Sequence, residues 1–549
     1  MSDGQTDNPF AARAKAGTAA PAPERLAAFD MNDFGNGMRL ILMGGGEIDD
    51  DGDVDTTNCR LLYLLGLGWI GFNGRFWDRE CGEDEARKLA HRTARAMRNC
   101  VPAFEGQGKP SKEVYKFLDQ CGSAGSTSSM LKQAQSYLTV RIEVFDRDPL
   151  AINCRNGTLK MRFDPRAEKG KRFRTWISPH DPADRITRMA AVDYDPRAEA
   201  PLFRGVVQTS LPEDEERAFF KRLLGYAATG RTEEQAFALV QGRGRDGKST
   251  ILDACREALG TYGVAASPDT FLEGGMRSGS DAAPDLIALS GDTRLAVLSE
   301  PKRGAKFNEG LLKAWTSGSP ISARDLHSKP INFRPKAKII FECNAFPVAR
   351  GDDDGIWRRV LTPQFRHQVP EDEMDRLLPE KLRDGELPGI LNWLVEGVGD
   401  WLETGSLAMP ESLKSVLDDY RKSSSPFGDW LRERCWTGEK AGTDRELSGI
   451  LYNDFKKWFE DQGFEKPMST RAFGDALRDR QIGLMGKDKS GLKYRGPIRL
   501  KTIQELAEDG ITERPAAPAG HGGEAPPMGD PTDPDACWRA AEAEESPFE

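Results

Sequence analysis

The run Gly242-Arg243-Gly244-Arg245-Asp246-Gly247-Lys248-Ser249-Thr250 carries the residue types that hold a phosphate. Its spacing, G-x-x-x-x-G-K-[ST], lets glycines turn backbone N–H groups inward, and the helix that follows adds partial positive charge at its N-terminus. Lys248 can reach outer phosphates, and the Ser249 hydroxyl suits a magnesium ion. Gly242, Gly244, Arg245, Asp246, Gly247, Lys248, Ser249 and Thr250 are therefore expected to form an ATP site, with Mg2+ at Ser249 and Glu300. Hydrolysis needs an acid near the metal and the attacking water. The apolar run Leu295–Leu298 supplies one by ending in Ser299-Glu300, at the end of a buried strand where such sheets bind ligands. Ser299 stands where many ATPases have Asp, so Glu300 is expected to orient water while Ser249 and water meet the metal. A third apolar run, Ala337 to Glu342, ends at Cys343-Asn344, and the Asn344 amide could contact a γ-phosphate. Arg358 and Arg359 follow Ile356-Trp357 at a domain edge, where an arginine can complete a neighbouring subunit's site.

These groups work only if strands and helices bring them together. Ala236–Val240 reads as the strand before the loop and Lys248–Leu259 as the helix after it, an alternation expected of an α/β ATPase over 213–368. Between the second and third strands, Ile321–Pro335 alternates enough for a hairpin around Leu326-His327-Ser328-Lys329. The expected fold class is multidomain α/β, a P-loop ATPase core with a helical N-terminal domain and a C-terminal winged-helix-like domain.

The remaining boundaries follow composition and periodicity. Residues 1–31 are rich in Ala, Pro and Gly and are expected to be disordered. Residues 32–145 are mostly helical, with a hairpin signalled by Asn73-Gly74. Residues 146–212 form a β-rich connecting region with a second hairpin at Asn156-Gly157, 369–426 a helical lid and linker, and 427–500 a compact module. Residues 501–549 hold 12 acids and 3 bases and are rich in Pro, Gly and Ala, so this tail is expected to be disordered. The acidic stretch Asp49–Asp55 lacks the glycine that a calcium loop needs at its sixth position.

The chain has 549 residues, 30% of them charged, and a net charge of −10. Most of that charge lies in the tail, and the first 500 residues carry only −1. Nucleic acid is therefore not excluded as a partner. No run approaches the roughly 18 apolar residues of a membrane span. The N-terminus lacks a secretory pattern. The nine cysteines form no C-x-x-C pair. These features together point to a reduced, cytoplasmic protein without structural zinc, a bacterial host cytoplasm being the expected setting.

The ordered series from phosphate loop through Leu295–Glu300, Lys313, Ile321-Ser322-Ala323-Arg324 and Asn344 to Ile356-Trp357-Arg358-Arg359 resembles superfamily 3 helicases. Within them it looks like the phage, plasmid and poxvirus primase–helicase family. The likeness spans about 32–500 and includes Gly68 to Trp77, Ala191–Asp195 and Leu223–Gly230. It implies a ring, a homohexamer of AAA+-type motors, that translocates on single-stranded DNA and opens forked duplexes. By this likeness Glu300 is the catalytic acid and Asn344 the γ-phosphate sensor. Arg359, with Arg358 second, is the arginine finger. The hairpin tip with His327 and Lys329 would hold the DNA backbone, flanked by Lys313 and Arg324. Relatives often carry a primase–polymerase domain first, but only about 31 low-complexity residues precede the helical region here. A helicase without priming activity in cis is expected, with a separate primase or other replication proteins as partners.

The 427–500 module supports DNA binding on its own residues. Ser469 caps a helix carrying Phe473 and Leu477, and Lys487–Gly491 turns into a wing-like hairpin. Lys466 to Arg499 holds nine bases and three acids, the footprint of a DNA-binding helix and wing. Arg471, Arg478, Lys487, Lys489 and Arg495 are the candidate contacts. A solvated basic surface is the bland reading. Two other functions compete with a motor. An ATP-controlled origin-binding initiator would use the basic module without processive unwinding. A small-molecule kinase would leave the hairpin, the arginine pair and the module without a role.

Overall fold

The computed structural model describes residues 20–508, except 274–282, 303–304, 325–329, 348, 350–353, 424–425, 463–466 and 488–490. Its chain divides into two compact units at about residue 428. The expected hairpin tip with His327 and Lys329, the wing residue Lys489, and the tail from 509 onward lie outside the described residues.

The first unit begins before the expected start. Pro23–Ala27 is helical and buries Leu26 and Ala27, so the assignment of 20–31 to disorder is corrected. Helices Asp33–Met43, Gly82–Met97 and Ala124–Leu138 pack beside a four-stranded sheet in which Leu61–Leu64 pairs antiparallel with Gly68–Phe72. The Asn73-Gly74 hairpin forms because the Asn73 side chain accepts from the Arg75 and Phe76 N–H groups at 3.0 Å each. Trp77 leaves that hairpin buried and donates through Nε1 to Pro182 O at 2.9 Å. This fastens the N-terminal layer to the connecting region.

Residues 151–178 form a three-stranded antiparallel sheet whose first hairpin turns at Arg155-Asn156, one residue before the expected Asn156-Gly157, with Gly157 opening the second strand opposite Cys154. Its buried face, with Ile152, Leu159 and Met161, joins the same core as the strands and helices that follow. The connecting region also contains a ten-residue helix, Pro201–Ser210, which the strand-and-turn reading lacked.

The central sheet is parallel. Its order is Gly263–Ala266, Leu295–Leu298, Lys338–Cys343, Phe237–Gly242, Val360–Leu361, with Gln364–Phe365 also pairing to Phe237–Gly242. Near-continuous burial of these strands is what a sheet covered on both faces requires. The strand that leads into the glycine-rich loop therefore lies between the strand of Asn344 and the strand that follows the arginine pair. Helices Asp214–Ala227 and Leu387–Thr404 cover one face and meet through Gly225 and Gly397. A Cβ on Gly225 would fall 2.2 Å from the Gly397 carbonyl carbon, so only glycine permits this approach. Ile390, Leu391, Trp393, Leu394 and Val398 of the second helix are buried in the sheet's own core. Residues 387–404, within the 369–426 stretch expected to be a helical lid and linker, are thus helical and form a wall of this core.

At the other edge of the sheet lies a buried charge network. Arg294 pairs with Asp292 at 2.6 Å, and Lys336 Nζ donates to Asp292 Oδ1 at 2.9 Å and to Asp146 O at 2.7 Å. The Asp146 carboxylate accepts from Thr187 N at 2.8 Å and Thr187 Oγ1 at 2.7 Å. Burial, with the Asp292 charge adding to it, pushes the Asp146 carboxyl up to about 6.

In the second unit, helices Ser448–Asp461 and Thr470–Asp479 precede a hairpin of Gly483–Lys487 and Lys493–Gly496. Ser469 caps the second helix by accepting from Ala472 N at 3.3 Å. Trp430, Phe455 and Phe473 form its aromatic core, with ring centroids 5.3–5.5 Å apart. Helix Ile503–Glu508 buries Leu506, and Glu505 pairs with Arg499 at 2.7 Å, so 501–508 belong to this unit rather than to a disordered tail. Among the described residues no helix is long and apolar enough to cross a membrane.

Candidate functional site

The glycine-rich loop leaves the sheet at Gly242 and enters helix Lys248–Leu259. Two glycines are obligatory for its path. A Cβ on Gly242 would lie 1.9 Å from Asp246 Oδ2, and Gly247, at φ +82°, would meet Ser210 Oγ at 2.3 Å. Arg245 adopts φ +54°, an uncommon conformation for a non-glycine residue. Asp246 is buried, and its carboxylate accepts from Gly244 N at 3.0 Å, Lys248 N at 3.3 Å and Lys248 Nζ at 3.1 Å. The loop is thereby drawn around its own acid.

Parallel register brings the other polar groups to the same end of the sheet. Val240 stands opposite Glu342, and Leu298 opposite Phe341. Lys248 Nζ donates to Asn344 Oδ1 at 3.3 Å, Asn344 Nδ2 donates to Glu300 Oε2 at 2.7 Å, and Asn344 N to Glu300 Oε1 at 3.3 Å. Lys248, Asn344 and Glu300, distant in sequence, form one continuous chain of bonds. Thr250 is half-buried on the helix, and Arg245 points outward, its Nη1 3.4 Å from Glu371.

Ser249 and Glu300, the residues expected to hold a metal together, are each bonded to a different partner. The Ser249 hydroxyl donates to Glu342, while Glu300 is engaged by Asn344. Glu342 is the site residue that sequence reasoning missed; its signal was a lone acid at the penultimate position of the strand Lys338–Cys343, after the apolar Ile339-Ile340-Phe341. Burial pushes its carboxyl above the usual range, opposed by the Ser249 hydrogen bond. A half-buried carboxylate against a serine hydroxyl fits a hard divalent cation, which needs only one or two protein carboxylates beside water and phosphate oxygens. Among the described residues, no group of three or more acids, histidines and cysteines gathers into a metal cluster.

The arginine pair also departs from expectation. Arg359 is only 6% exposed, donates through Nε to Thr316 Oγ1 at 3.1 Å and through Nη1 to Gly355 O. It is committed within its own chain. Arg358 is exposed and becomes the candidate for reaching outward.

The hairpin between the second and third strands forms as Ile321–Ala323 paired with Ile331–Phe333. Arg324 is half-buried at its outer end, and Lys313 lies 3.4 Å from Glu309 on the preceding helix. A cleft of about 720 Å³ opens at the base of this hairpin, lined by Arg147, Arg231, Ile331, Phe333, Arg334 and Lys336. Its residues precede the parallel strands, so it lies at the edge opposite the glycine loop.

In the second unit Arg471, Arg478 and Lys487 are exposed, with Arg478 paired to Asp475 at 3.1 Å. Arg495 is corrected: it is 8% exposed, its Nε and Nη1 find no acceptor among the described residues, and its guanidinium packs over Gly474. The period-2 alternation of the wing strand turns it inward, where burial lowers its basicity.

Residues 54–212 match a family described as D5 N terminal like, and 240–359 match a family of unknown function, DUF5906. A protein carried under a helicase name in Acanthamoeba polyphaga mimivirus is 27% identical over 277 residues, covering 47% of this chain and 28% of that protein. One under a helicase name in Invertebrate iridescent virus 6 is 23% identical, covering 72% of this chain and 48% of that protein. One under a primase name in African swine fever virus is 20% identical, covering 60% and 35%. The chain thus spans half or less of the length of these relatives. A solved apo structure of the NrS-1 C-terminal region covers 61% of this chain and 95% of that one at 12% identity, with a TM-score of 0.32.

Proposed function

The chain belongs to the phage and viral superfamily 3 primase–helicase family, and on that basis we propose that it is an ATP-driven replicative DNA helicase of a phage or plasmid-like element. It assembles as a ring, a homohexamer of AAA+-type subunits, around single-stranded DNA. The observation that carries this reading is the bond chain Asp246–Lys248–Asn344–Glu300 at one end of the parallel sheet. It places a cation for the outer phosphates, an amide that can report a γ-phosphate, and an acid that can align water within one hydrogen-bonded set. Lys248 is pre-held by Asp246 and Asn344 until phosphate oxygens replace them. Glu300 then depends on Asn344 for its orientation, so the sensor and the acid move together.

Mg2+ when bound neutralises charge between the phosphates, and Ser249 with Glu342 are the residues that would hold it. Arg358 takes the role of finger toward a neighbouring subunit. Arg324, Lys313 and the hairpin serve the DNA backbone, whose contacts are sequence-tolerant.

The experiment is strand displacement on forked DNA with DNA-stimulated ATP hydrolysis, using wild type and Lys248→Ala. Displacement that disappears with Lys248→Ala supports the motor. A second reading, an ATP-controlled origin initiator, draws on the exposed Arg471, Arg478 and Lys487 of the helix–hairpin unit. Nucleotide-dependent duplex binding without any displacement would replace the first reading with the second.

A further inference from the structure

Just past the strand Gln364–Phe365, the chain turns back onto the glycine-rich loop. Gln368 Nε2 donates to Gly244 O at 3.0 Å and to Arg243 O at 3.4 Å, and Val369 N donates to Arg245 O at 2.8 Å. Three successive carbonyls of the loop, those of residues 243 to 245, are therefore held from one side by residues 368 and 369.

The planarity of the peptide unit gives this a chemical meaning. In a trans peptide the C=O of one residue and the N–H of the next point in opposite directions. Fixing the Gly244 carbonyl on Gln368 therefore turns the Arg245 N–H away from Gln368, and fixing the Arg245 carbonyl on Val369 does the same for the Asp246 N–H. Fixing the Arg243 carbonyl directs the Gly244 N–H likewise, and that group is found on Asp246 Oδ2. The N–H groups of Arg245 and Asp246 have no acceptor among the described residues. Two adjacent, oriented and unpaired backbone donors beside a lysine and a helix N-terminus make a concavity for an anion. The left-handed backbone of Gly244 and Arg245 is costly for the arginine, and the three bonds from 368 and 369 oppose its relaxation.

We propose that Gln368 is a positioning residue for nucleotide binding, acting through the 243–245 peptide groups to aim the Arg245 and Asp246 N–H donors, beside Lys248, at a phosphate beyond the first, one that ADP has and AMP lacks. This rests on the reading of the loop as a nucleotide site. It deepens that reading by assigning a specific donor outside the glycine motif. Gln368 itself is exposed and need not touch the nucleotide.

The test uses the full chain, with equilibrium binding of ADP and AMP alongside thermal unfolding. Gln368→Met keeps the length but removes the donor, and Gln368→Glu sets an acceptor against the carbonyls. Gln368→Lys keeps a donor. Loss of one or two modest hydrogen bonds predicts ADP affinity roughly three- to tenfold weaker in the Met variant and weaker still in the Glu variant. AMP affinity and the unfolding temperature should stay unchanged, and the Lys variant should bind ADP as wild type does. Equal ADP affinity in all four proteins would overturn the inference, as would parallel losses for ADP and AMP, which denote a general structural role. Wild type that binds no ADP at all removes the nucleotide reading itself, a failure visible before any variant is compared.

Discussion

Arg359 Nε lies 3.1 Å from Thr316 Oγ1, joining the second residue after helix 354–357 to the helix Glu309–Thr316 of the same chain. The adjacent Arg358 is exposed. The two arginines, alike in sequence, are therefore placed oppositely: one is buried and bonded within its own chain, and the other is exposed.

Substitution separates them. Arg358→Ala should leave nucleotide binding and the unfolding temperature unchanged while removing most ATP hydrolysis. Doped into wild type, it should depress the activity of mixed assemblies more than in proportion. Arg359→Ala should instead lower stability by about 1–3 kcal/mol, because Thr316 and the Gly355 carbonyl lose a buried charged donor. Full hydrolysis by Arg358→Ala would end the assignment of Arg358 as the finger.

Glu342→Gln addresses the metal. It should raise the Mg2+ concentration needed for half-maximal ATP hydrolysis by roughly tenfold, since one charged ligand becomes neutral. ADP binding measured in EDTA should be unaffected. Glu300→Gln should behave differently, with the Mg2+ requirement kept and turnover lost. If both variants shift the Mg2+ requirement equally, the division of labour between these acids is wrong.

Asp146 should make the stability of the protein depend on pH. Its folded carboxyl titrates at about 6, above the ordinary 3.8, so the folded state binds the proton more tightly than the unfolded state. The contribution favours folding fully below pH about 4, weakens as pH rises through the window from about 4 to about 6, and is gone above it. Raising a carboxyl this far corresponds to about 3 kcal/mol across that window. Urea unfolding between pH 4 and 7 should show this decline superimposed on other groups, and Asp146→Asn should remove it. An unchanged slope in the variant would exclude Asp146 as its source.

For the helix–hairpin unit, Arg471→Glu, Arg478→Glu and Lys487→Glu should each weaken duplex DNA binding. Each should also reduce the slope of log affinity against log salt by about one or more. Arg495→Ala should act mainly on the unfolding temperature, since its guanidinium is buried against Gly474. Unaltered salt dependence in the three exposed variants would leave this unit without a nucleic-acid role.

Much of the site was readable because its physics is local. Gly242 to Thr250 declares its backbone conformation through glycine spacing. Glu300 and Asn344 are marked by the apolar strands that they close. Ser469 and Asn73-Gly74 announce a cap and a turn by hydrogen bonds to residues two or three positions away. What escaped depends on pairings that sequence distance hides. Glu342 faces Ser249 only because its strand lies next to the loop strand, and Arg359 turns inward only because Thr316 is there to receive it. Arg495 looked like any wing arginine until strand register set its side chain over Gly474. The close packing of helix Leu387–Thr404 escaped as well, because its partner Gly225 lies far earlier in the chain.

The short strands Val360–Leu361 and Gln364–Phe365 both hydrogen-bond to the strand that ends in the glycine loop. Arg358 stands at one end of this segment and Gln368 at the other, with no glycine between them to act as a joint. The segment is a strut with a grip at each end. Whatever shifts the loop by a fraction of an ångström pulls on the mounting of Arg358 as well. In the ring proposed above, a subunit's own occupancy and the reach it offers to its neighbour would then be two readings of a single mechanical coordinate.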